Sequence, residues 1–527
     1  MMMNGARIRF FGVLLCVTLG ALGCSRRGVA PKEFQTVDEF PAIYPDYLET
    51  TVPPNIAPMN FRILANGESY ATRFTGKNGK EFTVSGRDVM IPEKAWRELL
   101  STNKGASFSV DVFVKQNGNW QKYNSFENEV SLDPIDGYVA YRLIEPGYDY
   151  AHRIALAQRS LESFDEQLFF DNRFVSSSPC VNCHSFQDRK TDKFLFHYRR
   201  TDDPAYGGTI VVNGKSATKV SGKVKSAGIS CSYPSWNPTS DVVAFSTNQT
   251  RQVFHSLSSQ KLEVYDVFSD LVVFDASKNA LSVVERTPWL LETFPSWSPD
   301  GKTLFYCVAE VKSEELRESL EKSYLAESIA GDANALHLLT EAMSKNATEI
   351  RYDIMSRSFD EVAKSFGEPQ PVVSVSTQGK TALFPRVSPD GAFLAYTCAE
   401  SGTFPIWRPE ADLYLKDLRT GDERRWDEVN SDDSDSYHTW SSNGRWLVLS
   451  SRREDGQYTR LYFAHVDESG RASKPFVLPQ RDPQHNLHRF KSYNVPELIV
   501  EPVKIDLRTL YQAAKNDPNE TENLERL

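Results

Sequence analysis

Phe294-Pro295-Ser296-Trp297-Ser298-Pro299-Asp300-Gly301 is the stretch that decides the fold, because the chain repeats it. Tyr233-Pro234-Ser235-Trp236-Asn237-Pro238 precedes it, Phe384-Pro385-Arg386-Val387-Ser388-Pro389-Asp390-Gly391 follows it, and Tyr437-His438-Thr439-Trp440-Ser441-Ser442-Asn443-Gly444 is a degraded further copy. In Pro-Asp-Gly the proline fixes φ and the glycine supplies positive φ, so each copy reads as an aromatic strand ending in a tight turn. A hydrophobic strand follows each turn: Val242-Val243-Ala244-Phe245, Thr303-Leu304-Phe305-Tyr306, Phe393-Leu394-Ala395-Tyr396 and Trp446-Leu447-Val448-Leu449. Later in the unit a further strand closes on a turn, as in Asp412-Leu413-Tyr414-Leu415-Lys416-Asp417 before Thr420-Gly421-Asp422. Four-stranded units recurring at intervals of tens of residues predict a β-propeller.

The repeat resembles that of TolB-type propellers, in which a Phe/Tyr-Pro-x-Trp-Ser-Pro-Asp-Gly signature occurs once per blade. The resemblance covers residues 190 to 490 and implies a propeller over 191–500. Trp236, Trp297, Val387 and Trp440 are spaced by 61, 90 and 53 residues, so the blades are unequal. The longest interval holds a Glu-, Leu- and Ala-rich stretch, Ser313 to Lys345, whose apolar residues recur at three to four; it predicts a helical insertion over 313–347. Four blades are plain, and Phe194 to Val212 and Phe476 to Ile499 offer strands for one or two more.

Ahead of the repeats, Glu81-Phe82-Thr83-Val84-Ser85-Gly86 and Ser107 to Val114 alternate apolar and polar residues between turns, the pattern of an antiparallel β-sandwich of immunoglobulin or fibronectin type over 46–147. Tyr150 to Phe164 reads as helix, so a short helical linker, 148–190, joins sandwich to propeller. The expected class is thus all-β dominated, with a C-terminal tail at 501–527 whose last stretch, Lys515 to Leu527, is polar and frayed.

Within the linker stands Cys180-Val181-Asn182-Cys183-His184. C-x-x-C-H is the sequence to which c-type haem is attached: two thiols at this spacing form thioethers to the vinyls, and the adjoining imidazole is an axial ligand. The competing readings are a redox or structural disulfide and half of a zinc site. Zinc needs a second ligand pair, and Cys231, Cys307 and Cys398 are solitary, which suits small buried residues in strands. The residues therefore predict one haem c held by Cys180, Cys183 and His184. For the sixth ligand His197 leads, thirteen residues on, with His152, Met355 or an open position as alternatives. A small cytochrome c surrounds its haem with its own helices, and the strands starting soon after His184 leave no room for that.

The N-terminus has the order of a secretory signal: Arg7 and Arg9, the apolar run Phe10 to Leu22, then Ala21-Leu22-Gly23-Cys24. Small residues before a cysteine resemble a bacterial lipobox, implying removal of residues 1–23, lipidation of Cys24 and a linker at 24–45; the pattern departs in having Ala21 where Leu is usual. The expected address is periplasm-facing, on the outer membrane of a Gram-negative bacterium. The chain resembles exported lipoproteins that join one C-x-x-C-H to a TolB-like propeller. Formal charge is −10, and loss of Arg7 and Arg9 with the leader makes it −12, which disfavours nucleic acid as a partner. Asn430 to Asp435 is acidic without regular cation-ligand spacing, and no G-x-S-x-G occurs. Two functions remain: electron transfer through a haem to a protein partner docked on the propeller, or a non-enzymatic interaction scaffold in which the cysteine pair is a disulfide or sensing element.

Overall fold

The computed structural model describes residues 28–146, 153–175, 179–200, 207–224, 229–255, 262–285, 287–325 and 333–524. Cys16, Cys24 and His152 lie outside them. Strand is the predominant secondary structure of the described residues, and the repeats fold as antiparallel sheets of four main strands. Blade 3 comprises Ser232–Trp236, Val242–Phe254, Leu262–Asp275 and Ala280–Glu285; blade 4, Leu290–Trp297, Thr303–Glu310, Tyr352–Asp360 and Gln370–Val373. Blade 5 comprises Thr381–Val387, Phe393–Ala399, Asp412–Asp417 and Glu423–Arg425; blade 6, Asp435–Trp440, Trp446–Ser451, Arg460–His465 and Phe476–Val477.

Two further sheets complete the ring. Blade 2 is Pro179–Phe186, Lys193–Arg200, Gly208–Asn213 and Ser216–Val220. Blade 1 is Tyr138–Ile144, Ile154–Ser160 and Glu166–Asp171, with Ser492–Ile499 from the far end of the chain as its innermost strand. The inner strands neighbour one another in succession, blade 6 meets the closing strand, and that strand meets blade 2. Sheets that lie ends apart in sequence are thus locked by backbone pairing between Tyr138–Ile144 and Ser492–Ile499.

This arrangement corrects three expectations. Residues 154–160 form a strand where a helix was predicted; Ile154-Ala155-Leu156-Ala157 suits either period, and hydrogen-bonding partners on both edges decide for strand. The C-x-x-C-H stretch lies in the innermost strand of blade 2, inside the propeller, and the propeller begins at residue 138. The tail is held: the helix Leu507–Lys515 buries Leu510, Ala513 and Ala514, Lys219 Nζ donates to Ala514 O at its C-terminus (2.9 Å), and Glu522–Leu524 adds to blade 3 beside Ala280.

The turn chemistry explains why the repeats fold alike. Ser298 Oγ donates to Asp300 Oδ1 (2.6 Å) and accepts from Thr303 N (2.9 Å); Ser388 with Asp390 and Phe393, and Ser441 with Asn443 and Trp446, repeat the pattern. Gly301, Gly391 and Gly444 all have positive φ. In the longest interval, Glu314–Leu325 and Ala333–Asn346 form two helices.

The N-terminal unit pairs Ala106–Gln116 with Ser69–Gly76 on one edge and with Asn119–Lys122 and Phe126–Val130 on the other. A small second sheet, Ile43–Tyr44, Phe61–Ile63 and Asp88–Val89, accompanies it. Between comes an element the strand pattern does not announce, the helix Glu93–Thr102, whose Trp96 lies edge-on to Phe108 at 5.7 Å and donates from Nε1 to Ile56 O (2.9 Å). Its core runs on into blade 6: Trp446 Nε1 donates to Asp133 O (3.0 Å), and Asp136 accepts the Ser442 N–H (2.8 Å).

Candidate functional site

Each inner strand carries one non-glycine residue with φ between 46° and 56°: Cys183, Tyr233, Phe294, Phe384, Tyr437 and Val495. At each of them the pairing with the next strand slips. Aligned on this bulge, Cys183-His184-Ser185-Phe186 falls on Phe294-Pro295-Ser296-Trp297, and Val495-Pro496-Glu497-Leu498 falls on the same four positions. The second half of the C-x-x-C-H motif is therefore blade 2's copy of the repeat.

At the bulge position four blades contribute aromatic rings that meet in series: Tyr233 to Phe294 at 4.6 Å, Phe294 to Phe384 at 4.1 Å, and Phe384 to Tyr437 at 4.7 Å between centroids. Val495 packs on this cluster. Cys183 occupies the remaining place, with the Tyr233 and Tyr437 hydroxyls within electrostatic reach of its thiol. Burial raises the Cys183 thiol pKa, opposed by the Arg142 guanidinium, the Tyr233 backbone N–H and Arg199. Cys183 is half-buried; Cys180, fully buried, accepts from Asn182 Nδ2 (3.0 Å) and lies 3.8 Å from an Arg199 guanidinium nitrogen, and Arg142 donates to Asn182 Oδ1.

Neighbouring blades are joined at the third position of the repeat. Ser185 Oγ accepts the Trp236 N–H (3.2 Å), and Ser235 Oγ accepts the Trp297 N–H (3.3 Å). In blade 1 the equivalent residue is Glu497, and its Oε1 accepts the Phe186 N–H (2.9 Å) in the same way. A carboxylate has a second oxygen to offer, and Oε2 lies 3.1 Å from His184 Nδ1. The His184 side chain is 0% exposed, and its Nε2 has no partner. With Glu497 as acceptor Nδ1 carries a proton, and Nε2 is the nitrogen left without a protein partner.

The other proposed ligands are not brought to His184. Asn182 pairs with His197 and His184 with Phe196, so alternation puts the two histidines on opposite faces of blade 2. Phe194, Phe196 and Tyr198 pack against blade 1, whereas Leu195, on the His197 side, packs against blade 3. His197 is buried, and desolvation, aided by Arg199, lowers its pKa to about 3. The reading of His197 as sixth ligand is therefore corrected: thirteen residues suffice for a turn around a porphyrin edge, but strand pairing aims the side chain elsewhere. Met355 pairs with Tyr306 in blade 4. Cys231, Cys307 and Cys398 are buried singly, with burial pushing the Cys231 thiol up to about 12 and Cys398 to about 11.

Sequence reasoning missed Glu497, Arg142, Asn182 and Arg199 as members of the site. Glu497 was accessible in principle, since Val-Pro-Glu-Leu keeps the proline and the apolar residue of the repeat; the arginines belong to strands with no motif. The donor types are those of a c-type haem, two thiols and an imidazole with one unpartnered nitrogen whose ring a carboxylate orients, but strand pairing puts Cys180 on the face opposite His184.

No family model and no curated protein matches the chain. Among solved structures it is similar to one from a study of two prolyl endopeptidases (11% identity, TM-score 0.34, 66% of this chain and 42% of that one). It is also similar to prolyl oligopeptidase B of Galerina marginata (10%, 0.34, 72% and 50%) and to the tricorn protease (9%, 0.27, 71% and 42%). The chain spans half or less of the length of these proteins.

Proposed function

We propose that this is an exported, lipid-anchored redox protein in which Cys180, Cys183 and His184 hold one covalent c-type haem, with the propeller docking a protein partner. The observation that carries the reading is His184: an imidazole taken wholly out of water, one nitrogen on Glu497, the other without a partner. Leaving a buried nitrogen unpaired costs about 1–3 kcal/mol, a cost that an axial bond would remove. Haem, when bound, supplies a one-electron couple. The chain's own part is to provide two thiols, to hold the proton on His184 Nδ1 through Glu497, and to place Arg142 and Arg199 beside the sulfurs.

Strand alternation favours a second reading. Cys180 shares a face with Asn182, and His184 lies on the other, so thiol and imidazole converge only if Pro179 to Asn182 leaves the edge of the blade. In that reading the protein is a TolB-like periplasmic scaffold with Cys180 and Cys183 as a thiol–disulfide element. Expression in the periplasm with a c-type maturation system separates the two. Covalent haem gives a reduced α-band and a mass increment that survives denaturation; a protein that shows neither, but changes by two hydrogens with dithiothreitol, overturns the haem proposal.

A further inference from the structure

Two arginines stand beside the inner strands of blades 1 and 2: Arg142 pairs with Asn494, one residue before Val495, and Arg199 pairs with Cys180. Both guanidinium groups act on the Cys183 thiol, which also lies within reach of the Tyr233 and Tyr437 hydroxyls, so blades 1, 2, 3 and 6 each bring a donor to one place. None of the four meets an acceptor that carries charge. Arg142 donates to the Asn182 amide oxygen, and its buried Nε has no partner. Arg199 is exposed and reaches the Cys180 sulfur at 3.8 Å. The two tyrosine hydroxyls make no hydrogen bond among the described residues, and burial raises their pKa values, so each keeps a proton to donate. Among the described residues no carboxylate pairs with either guanidinium; Asp266, which acts on Tyr233, is already bonded to Asn248 (3.0 Å) and Tyr352 (2.7 Å).

Charges partly withdrawn from water are ordinarily paired, and two guanidinium groups beside two unbonded phenols form a set of donors without a counter-charge. The guanidinium fork matches the paired oxygens of a phosphate or a carboxylate, and two such charges suit a dianion. From these unmatched donors we infer a binding site for a small divalent oxyanion, phosphate or a short dicarboxylate, at the inner edge of blade 2. Arg199 is exposed and Cys183 and Tyr233 are half-buried, so a small anion has access. None of the four donors belongs to the C-x-x-C-H motif, and the inference holds under either reading of the cysteine pair.

Inorganic phosphate, succinate and the dication agmatine serve as probes, titrated calorimetrically into the full-length protein in low-salt buffer near neutral pH. Phosphate or succinate is expected to bind saturably and agmatine not at all; the tighter of the two anions tells a tetrahedral ligand from a dicarboxylate. Arg142→Gln and Arg199→Gln, each of which removes one charge, should weaken that anion about tenfold or more, whereas Arg419→Gln, on an exposed turn of blade 5 and paired with Asp417, should change it by no more than about twofold. Tyr437→Phe deletes a hydroxyl that no described residue uses; it should weaken binding about three- to tenfold and keeps the test decisive if an arginine variant misfolds. Covalent haem is read separately from the α-band, so the two proposals stand or fall apart. Unchanged anion affinity in the folded variants of Arg142, Arg199 and Tyr437, saturable agmatine binding, or no saturable binding of either anion overturns the inference.

Discussion

Replacing Glu497 tests whether the repeat geometry, and not the motif alone, organises the site. Its Oε1 takes the Phe186 N–H at 2.9 Å and its Oε2 faces His184 Nδ1 at 3.1 Å, so Glu497→Ala leaves two buried donors without an acceptor. A hydrogen bond to a charged acceptor is worth about 1.5–3 kcal/mol, and the side chain is 19% exposed, so the summed loss is about 3–5 kcal/mol. Glu497→Ser should behave differently. Ser185 and Ser235 occupy the same position in the next two blades and accept the corresponding N–H at 3.2 and 3.3 Å. A serine at 497 therefore keeps the bond to Phe186 and abandons only His184, for a loss of about 1–2 kcal/mol. Urea unfolding of haem-free protein followed by tryptophan fluorescence, with midpoints compared at a common slope, reads the difference. Serine should retain about 2 kcal/mol over alanine. Equal midpoints for the two variants would refute the equivalence of Glu497 with the repeat serines.

Cys183→Tyr puts an aromatic ring where four other blades have one and should stabilise the fold by about 0.5–1.5 kcal/mol while abolishing covalent haem; a destabilised variant would mean that the ring has no room at blade 2. His197→Ala should leave the visible spectrum of the haem-loaded protein unchanged, because strand pairing sends that side chain to the opposite face; a shift to high spin would restore it as a ligand. Asp266 is buried, with its pKa raised to about 6 by desolvation against the partial relief of Asn248 and Tyr352. The native state then holds a proton that the unfolded chain has released, so stability falls as pH rises from about 4 to 6, by up to about 3 kcal/mol, and is flat above. Asp266→Asn should flatten that slope in urea midpoints taken across the window, and an unchanged slope would assign it elsewhere. If Cys24 is the lipid anchor proposed, Cys24→Ala should move the protein from membranes to the soluble periplasm; retention after a high-salt wash would contradict the lipid anchor.

The blades that announced themselves did so through turn chemistry. Ser-Pro-Asp-Gly writes its own hydrogen bonds, from Ser298 to Asp300 and Thr303, and so survives as a local signal. Blades 1 and 2 have no such turn. Gln187-Asp188-Arg189 replaces it after Phe186, with positive φ at Asp188 and Arg189, and blade 1 is assembled from residues more than 300 positions apart, which no local pattern records. The same cause hid half of the site. Cys180, Cys183 and His184 are legible as a pentapeptide, but Glu497 acts on them only after ring closure, and the helix reading of 150–164 failed because alanine and leucine in a short run suit either period until the neighbouring strands exist.

The bulge position explains why the motif sits where it does. Positive φ costs an ordinary residue about 1–2 kcal/mol, and glycine or asparagine would relieve it, yet the six inner strands carry Cys, Tyr, Phe, Phe, Tyr and Val there. The conformation is that of the bulge, after which each inner strand resumes pairing with the next strand of its own blade. In four blades the cost is offset by aromatic contacts at 4.1–4.7 Å, and Val495 joins the same apolar cluster. Cys183 brings no ring to this series: it is half-buried, within electrostatic reach of Cys180, Arg142, Arg199, Tyr233 and Tyr437. Strain that packing does not offset points to a use for the Cys183 thiol, whose pKa burial raises against the opposing pull of Arg142 and Arg199. The next position divides the blades the same way: proline, which needs no hydrogen bond from its nitrogen, fills it at 234, 295, 385 and 496, and buried histidines fill it at 184 and 438, each with a ring nitrogen that has no partner.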